Sequence, residues 1–324
     1  MIAGPPNSPI TKSLYLDLER RGFVVYALVS TEEEARAISN EARADVRPFS
    51  LDVSDTHETE QAMERFAHIM SSQHHAFAGA SPHQLSFAGL LVVPDLIYPS
   101  GPIETIAPEL WSDALNAKVL NTVATVQAFL PIICDYKARV LILTPSIVSS
   151  LRPPFHGVES AVVGALDGFT TSLRTELATL GIQVCHFKLG TFDCSGVPAG
   201  RNSLQGLNRT NMWSQTTRSW YEDNYVRQGQ LAAQRGLFSN NGSTSRGAPL
   251  RELHNAVFDA LTVKRPNATW RVGRGSYTYD VVGRWVPSGV VGWMLGVRRV
   301  AVEEATGPAL EDSVQVWEKV EHGV

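Results

Sequence analysis

The feature that most constrains this chain is an alternation. Apolar runs too short for buried helices recur between amphipathic segments. Examples are Phe23–Val29 (FVVYALV), Phe87–Val93 (FAGLLVV), Val140–Leu143 (VLIL) and Val184–Leu189 (VCHFKL). A strand apolar on both sides of its pleat is covered on both faces, as in a parallel sheet clothed by helices. The intervening stretches 11–21, 31–43, 56–78, 107–137 and 158–180 carry helical apolar spacing, and Thr31 precedes an acidic first turn at Glu32, Glu33 and Glu34. Strands and helices in strict turn predict an α/β fold with a doubly wound parallel sheet.

Beyond Gly190 the pattern weakens. Residues 195–247 are rich in Asn, Ser, Gly, Gln and Arg, with Trp213, Trp220 and Tyr221 among them. The composition predicts an excursion over one end of the sheet, with a short helix near 216–235 and a mobile loop near 237–247. A helix at 249–263 and a strand at 269–273 come next. The expected division is a core over 1–194, a lid and C-terminal cap over 195–305 within the same domain, and a polar tail over 306–324.

Charge and cysteine content narrow the function classes. A net charge of −4 gives no global electrostatic basis for nucleic-acid binding. The three cysteines, Cys134, Cys185 and Cys194, form no CxxC pair and suit a reducing compartment, so a cytoplasmic location is expected. No metal-ligand spacing is present. The sequons at Asn208, Asn241 and Asn267 follow no signal peptide and read as chance. At the other end, Met1-Ile2-Ala3 is apolar and gives way at once to Gly4-Pro5-Pro6-Asn7-Ser8-Pro9. The chain reads as beginning inside its first strand, which leaves open an upstream segment carrying a targeting signal or an anchor.

Several motifs fall in a telling order. Gly4 opens a loop between a strand and a helix. Val46–Val53 (VRPFSLDV) reads as a short strand, and Leu51-Asp52-Val53-Ser54-Asp55 overlaps its end. The long helix holds Trp111 and ends in Gln127-Ala128-Phe129-Leu130-Pro131. Ser160-Ala161 and Ala165-Leu166 lie in the next helix, and Lys188-Leu189-Gly190-Thr191 closes the sixth strand. On these motifs the chain resembles the short-chain dehydrogenase/reductase superfamily over roughly 1–300, as a divergent fungal branch. The resemblance implies a Rossmann-like core, a cap on the substrate side, a nicotinamide dinucleotide (NAD or NADP), and a cofactor crevice built from Gly4, Asn7, Ser8, Asp52, Val53, Val93, Lys118 and Thr191.

The departures matter as much. That family uses a tyrosine as general acid/base, a lysine four residues on, a serine about thirteen residues before the tyrosine and an upstream asparagine. Ser146 fits the serine, but Glu159, Val163 and Lys118 stand at the other three places. A tyrosine titrates near 10, and the lysine ammonium lowers that value while gripping the nicotinamide ribose. Valine does neither. A glutamate starts near 4.3 and becomes an acid at neutral pH only if burial raises it by ~3 units. The phosphate loop is altered too. One of three expected glycines remains, Ser8 and Ile10 hold the other places, and Pro5, Pro6 and Pro9 lack N–H donors. Cofactor binding is therefore expected to be weak or lost.

Three readings follow. The first is a dehydrogenase fold with impaired catalysis and a binding role. The second is an atypical oxidoreductase using Ser146 and Glu159 on a lipid-like, steroid-like or retinoid-like carbonyl or alcohol. The third is a membrane-surface interaction protein, suggested by Trp285–Val297 (WVPSGVVGWMLGV) and the Arg298-Arg299 that follows. The partners expected across them are an apolar small molecule, a second copy in a homodimer, and a peripheral membrane contact through 285–299. The bland account of that last stretch is a helix packed over the substrate pocket.

Overall fold

The computed structural model describes residues 1–6, 8–41, 45–53, 55–76, 86–94, 100–193, 214–235 and 247–295. In chain order the elements are β1 (Ile2–Ala3), α1 (Pro9–Arg20), β2 (Val25–Val29), α2 (Glu32–Glu41), β3 (Val46–Ser50), α3 (Thr56–Ala76), β4 (Gly89–Val92), α4 (Pro108–Leu115), a π-helical segment (Asn116–Leu120), α5 (Asn121–Tyr136), β5 (Arg139–Pro145), α6 (Ser146–Leu151), α7 (Gly157–Ala178), β6 (Val184–Leu189), β7 (Phe192–Asp193), α8 (Gln215–Arg235), β8 (Ala248–Pro249), α9 (Leu250–Thr262), β9 (Thr269–Val272), α10 (Ser276–Trp285) and α11 (Ser288–Met294).

The main sheet has seven parallel strands in the order β3-β2-β1-β4-β5-β6-β9. This is the doubly wound arrangement the alternation predicted. The order reverses between β1 and β4, and in such sheets the crevice beyond the strands' C-terminal ends at that point is where ligands bind. β9, from the region expected to form the cap, pairs with β6, with Lys188 opposite Arg271.

Strand β5 shows why its sequence is continuously apolar. Leu141 and Leu143 join the core on the face covered by α1 and α9, while Val140 and Ile142 join the core under α3, α5 and α7. In the second core Phe66, fully buried, meets Tyr26, Phe49, Phe87 and Phe129 edge-on at centroid distances of 5.5–5.6 Å. The run Pro108–Tyr136 is long and apolar enough to cross a membrane by length and composition. Its Val126, Phe129, Ile132 and Ile133 are nonetheless buried against the sheet.

Boundaries shift where local chemistry decides. α1 begins at Pro9, two residues before the expected start, because proline suits the first helical turn. β3 ends at Ser50, so Asp52 and Val53 lie beyond the strand. The predicted helix at 107–137 contains one turn of π-helix. The stretch 285–297 is not one helix: α10 ends at Trp285, and Pro287 starts α11. Most of the proposed loop at 237–247, and the tail at 306–324, lie outside the described residues.

Candidate functional site

The crevice at the switch point begins with Gly4. A Cβ there would sit 2.6 Å from the Val93 carbonyl oxygen, so only glycine lets β1 and β4 approach this closely. Val93 is buried beside it, its N–H donating to the Ala3 carbonyl at 2.7 Å. Ser8 is the N-cap of α1, but its side chain makes no capping bond, and its N–H is taken by the Pro5 carbonyl at 3.0 Å. Tyr15 closes the loop by donating its hydroxyl to the Pro6 carbonyl at 2.7 Å. Ile10 is buried and fills the helix start. Thr11, beside Gly4, is 1% exposed, and its hydroxyl has no hydrogen-bond partner. Asn7 lies outside the described residues.

The adenine-side positions are plain. Asp52 is exposed, and its carbonyl accepts the Thr59 hydroxyl at 2.9 Å. Val53 is half-buried, and Asp55 caps α3 through the His57 N–H at 2.8 Å.

Towards the catalytic half the picture changes. Lys118 is buried inside the π-helical turn, and its carbonyl accepts the Thr122 hydroxyl at 2.7 Å. Such bulges often mark functional positions, and this one packs against α7. Ser146 is the first residue of α6, fully buried. Its hydroxyl donates to the Ser276 carbonyl at 3.0 Å, a residue 130 positions away. Glu159 is buried in the first turn of α7 and pairs with His156 Nδ1 at 3.0 Å. Glu159 is thus neither solvated nor paired with Lys118, and His156, a loop residue beside Gly157 that local sequence would leave exposed, is mostly covered. A carboxylate in the first turn is also favoured by the helix dipole.

Val163 is fully buried against Ile147 and Val148, and Tyr279 of α10 packs on that cluster. The Tyr279 hydroxyl is hydrogen-bonded to Thr191, and burial pushes its pKa up. Thr191 also anchors both flanking segments: its carbonyl accepts the N–H groups of Ala248 and Arg274. α10 lies so close to α6 that a Cβ at Gly283 would collide with the Ser150 carbonyl. Ser146, Val163 and Thr191 therefore meet, in this structure, beneath one helix that the motif reading did not include.

That helix is tied down by ions. Asp280 is buried and pairs with Arg271 at 2.6 Å, Arg284 at 3.3 Å and Lys188 at 3.7 Å. Lys188 donates to Ser149 at 3.0 Å, and Ser149 donates to Asp167. Asp167 pairs with His186 at 3.1 Å, whose ring also meets Thr144 at 2.7 Å. Burial alone would raise Asp167, but hydrogen bonds from His186 and Ser149 and the charges of His186 and Lys188 hold its carboxyl below the usual range. Apart from the Asp280–Arg284 pair on α10 and the nearby Arg271, these partners are far apart in sequence, so sequence reading had no signal for the network. Among the described residues no group of three or more His, Cys, Asp or Glu could hold a metal.

The comparisons agree with this architecture. A protein of Schizosaccharomyces pombe named UPF0744 protein C106.03 is 27% identical over 291 residues, 88% of this chain and 66% of the relative. The chain thus spans just under two thirds of that relative's length. Rat mitochondrial D-beta-hydroxybutyrate dehydrogenase is 23% identical over 261 residues, 78% of this chain and 71% of the enzyme. A solved short-chain dehydrogenase from Burkholderia cenocepacia, in complex with NADP, superposes with a TM-score of 0.58 at 15% identity, covering 92% of this chain and 98% of that one. The model of a fungal family of unknown function, DUF1776, matches residues 1–292, and the chain belongs to that family, a divergent fungal branch of the short-chain dehydrogenase/reductase fold.

Proposed function

We propose that this protein keeps the dinucleotide crevice of its ancestry in weakened form and has lost hydride transfer, so that it acts by binding. The carrying observation is Val163, fully buried under Tyr279 where the resembled family has its ammonium. A bound nicotinamide dinucleotide would supply hydride. The residues fit its pyrophosphate end in part: Gly4 gives close backbone approach, and the orphan Thr11 hydroxyl offers a donor. They do not fit its nicotinamide end. Val163 cannot grip a ribose, Ser146 spends its proton on Ser276, and the Thr191 hydroxyl is engaged by Tyr279. NAD or NADP is the cofactor class this crevice would take, weakly, in a cytoplasmic protein with an apolar small molecule as the other ligand. Calorimetry with NAD and NADP, alongside nicotinamide oxidation against ketones and steroid-like or retinoid-like carbonyls, tests this. Weak binding without turnover is expected. Strong binding or robust turnover would overturn it.

A second reading is favoured by the Glu159–His156 pair. A buried carboxylate and an imidazole 3.0 Å apart can pass a proton. Under that reading the chain is an atypical oxidoreductase, and Glu159→Gln abolishes a turnover that the unmodified protein shows.

A further inference from the structure

We propose that the outward face of α10 and α11 docks on an anionic membrane surface, a role that goes beyond the proposed function of the crevice. α10 is amphipathic in the reverse of the usual sense. Its polar Ser276 and Asp280 are buried, with Tyr279 and Gly283 turned to the protein. Its outward stripe is Tyr277, Val281 and Trp285, spaced four apart, and Trp285 is 82% exposed. After the turn at Pro287, α11 continues the apolar surface with Val290 and with Trp293, which is 76% exposed. A soluble helix facing water would carry charge at these places. Two tryptophans on one projecting helical pair suit the boundary between headgroups and acyl chains, where an amphipathic ring keeps its N–H wet.

Charge selects this occupant over a second copy. Residues 271–299 hold five arginines, Arg271, Arg274, Arg284, Arg298 and Arg299, against the single Asp280. That local excess of four positive charges stands in a chain of net charge −4. Two copies face to face would oppose like charges, whereas an anionic bilayer attracts a chain segment of net positive charge while the rest of the molecule is repelled outwards.

The test is sedimentation of the full chain with vesicles of phosphatidylcholine, with and without about one third phosphatidylserine. Tryptophan emission, read in the same samples, should move to the blue on binding. Because both tryptophans are exposed, Trp285→Ser with Trp293→Ser leaves the core intact, and it should cut partitioning at least tenfold. Arg298→Gln with Arg299→Gln should cut it by about thirtyfold, at ~1 kcal/mol per arginine. No binding to anionic vesicles, equal binding to neutral ones, or binding indifferent to the tryptophans would overturn the proposal. So would a concentration-dependent dimer abolished by the tryptophan variant, which assigns the face to a second copy. Binding that appears only after residues 306–324 are removed would assign it to the chain's own acidic tail and overturn the proposal as well.

Discussion

The two halves of the crevice have diverged in opposite ways. At the β1–α1 end the geometry of close approach survives: Gly4 still abuts Val93, and a buried Thr11 hydroxyl is left without a partner. At the β5–α7 end the polar catalytic positions have been absorbed into the protein. Ser146 is satisfied by Ser276, Glu159 by His156, and Val163 lies in a hydrocarbon socket closed by Tyr279. An orphan buried hydroxyl costs stability and is tolerated where something else uses it, while a satisfied one is ordinary structure. The contrast teaches that a motif alignment can match residue positions while their side chains have changed employer.

The largest test of this contrast is Val163→Lys, which restores the ammonium of the resembled family. If the socket is filled, the lysine must be buried without water. A displacement of ~3 units at ~1.4 kcal/mol each predicts a loss of about 4 kcal/mol, before any steric cost. Denaturant unfolding checks it. An unchanged midpoint would mean the socket opens readily, and the claim of a filled catalytic half would fail. Pairing the change with Glu159→Tyr should not restore reductase activity while α10 stays in place.

A pair of smaller changes sharpens the comparison because opposite signs are expected. Ser146→Ala removes one of the bonds to the Ser276 carbonyl, which keeps its partner within α10, and should cost about 0.5–1.5 kcal/mol. Thr11→Val keeps the shape and removes an unpaired hydroxyl, so it should be neutral or stabilising by up to ~1 kcal/mol. The same change should weaken any dinucleotide binding. Losses of equal size at both sites would erase the distinction between the two halves.

The smallest effect concerns acid. Because Asp167 is held below the usual carboxylate range, its contribution to stability is present above the unfolded value near 3.9 and is lost as pH falls through the folded one. Stability should therefore drop below about pH 4. In Asp167→Asn that part of the acid limb should vanish, at the expense of stability near neutrality. Unfolding midpoints measured from pH 7 downwards decide it, and an identical acid limb in the variant would remove Asp167 as its source.

Much of this was legible beforehand. The parallel sheet followed from β5 and its neighbours, because a strand buried on both faces must be apolar at every position. Gly4 was legible as a glycine, and Glu159 and Val163 as replacements, because local spacing carries those facts. What the replacements do was not legible. The sequence could not show that Glu159 meets His156, since a pair three residues apart on a helix start is one rotamer among several. Nor could it show that the helices on either side of Pro287 would leave Trp285 and Trp293 exposed, because composition alone does not say which side of a helix packs.

The sequence by itself determined the alternation of strands and helices along the chain and the loss of the ammonium at 163, both of which depend on residues close together in the chain. Only the tertiary structure decided that Tyr279 fills the vacated space, that Ser146 is bonded to Ser276, and that Asp280 ties α10 to Lys188 and Arg271. Those contacts join elements more than ninety residues apart, apart from the short span between Arg271 and Asp280. They arise because β9 returns to the sheet beside β6 and delivers α10 onto α6, a placement set by burial and charge pairing rather than by any local pattern.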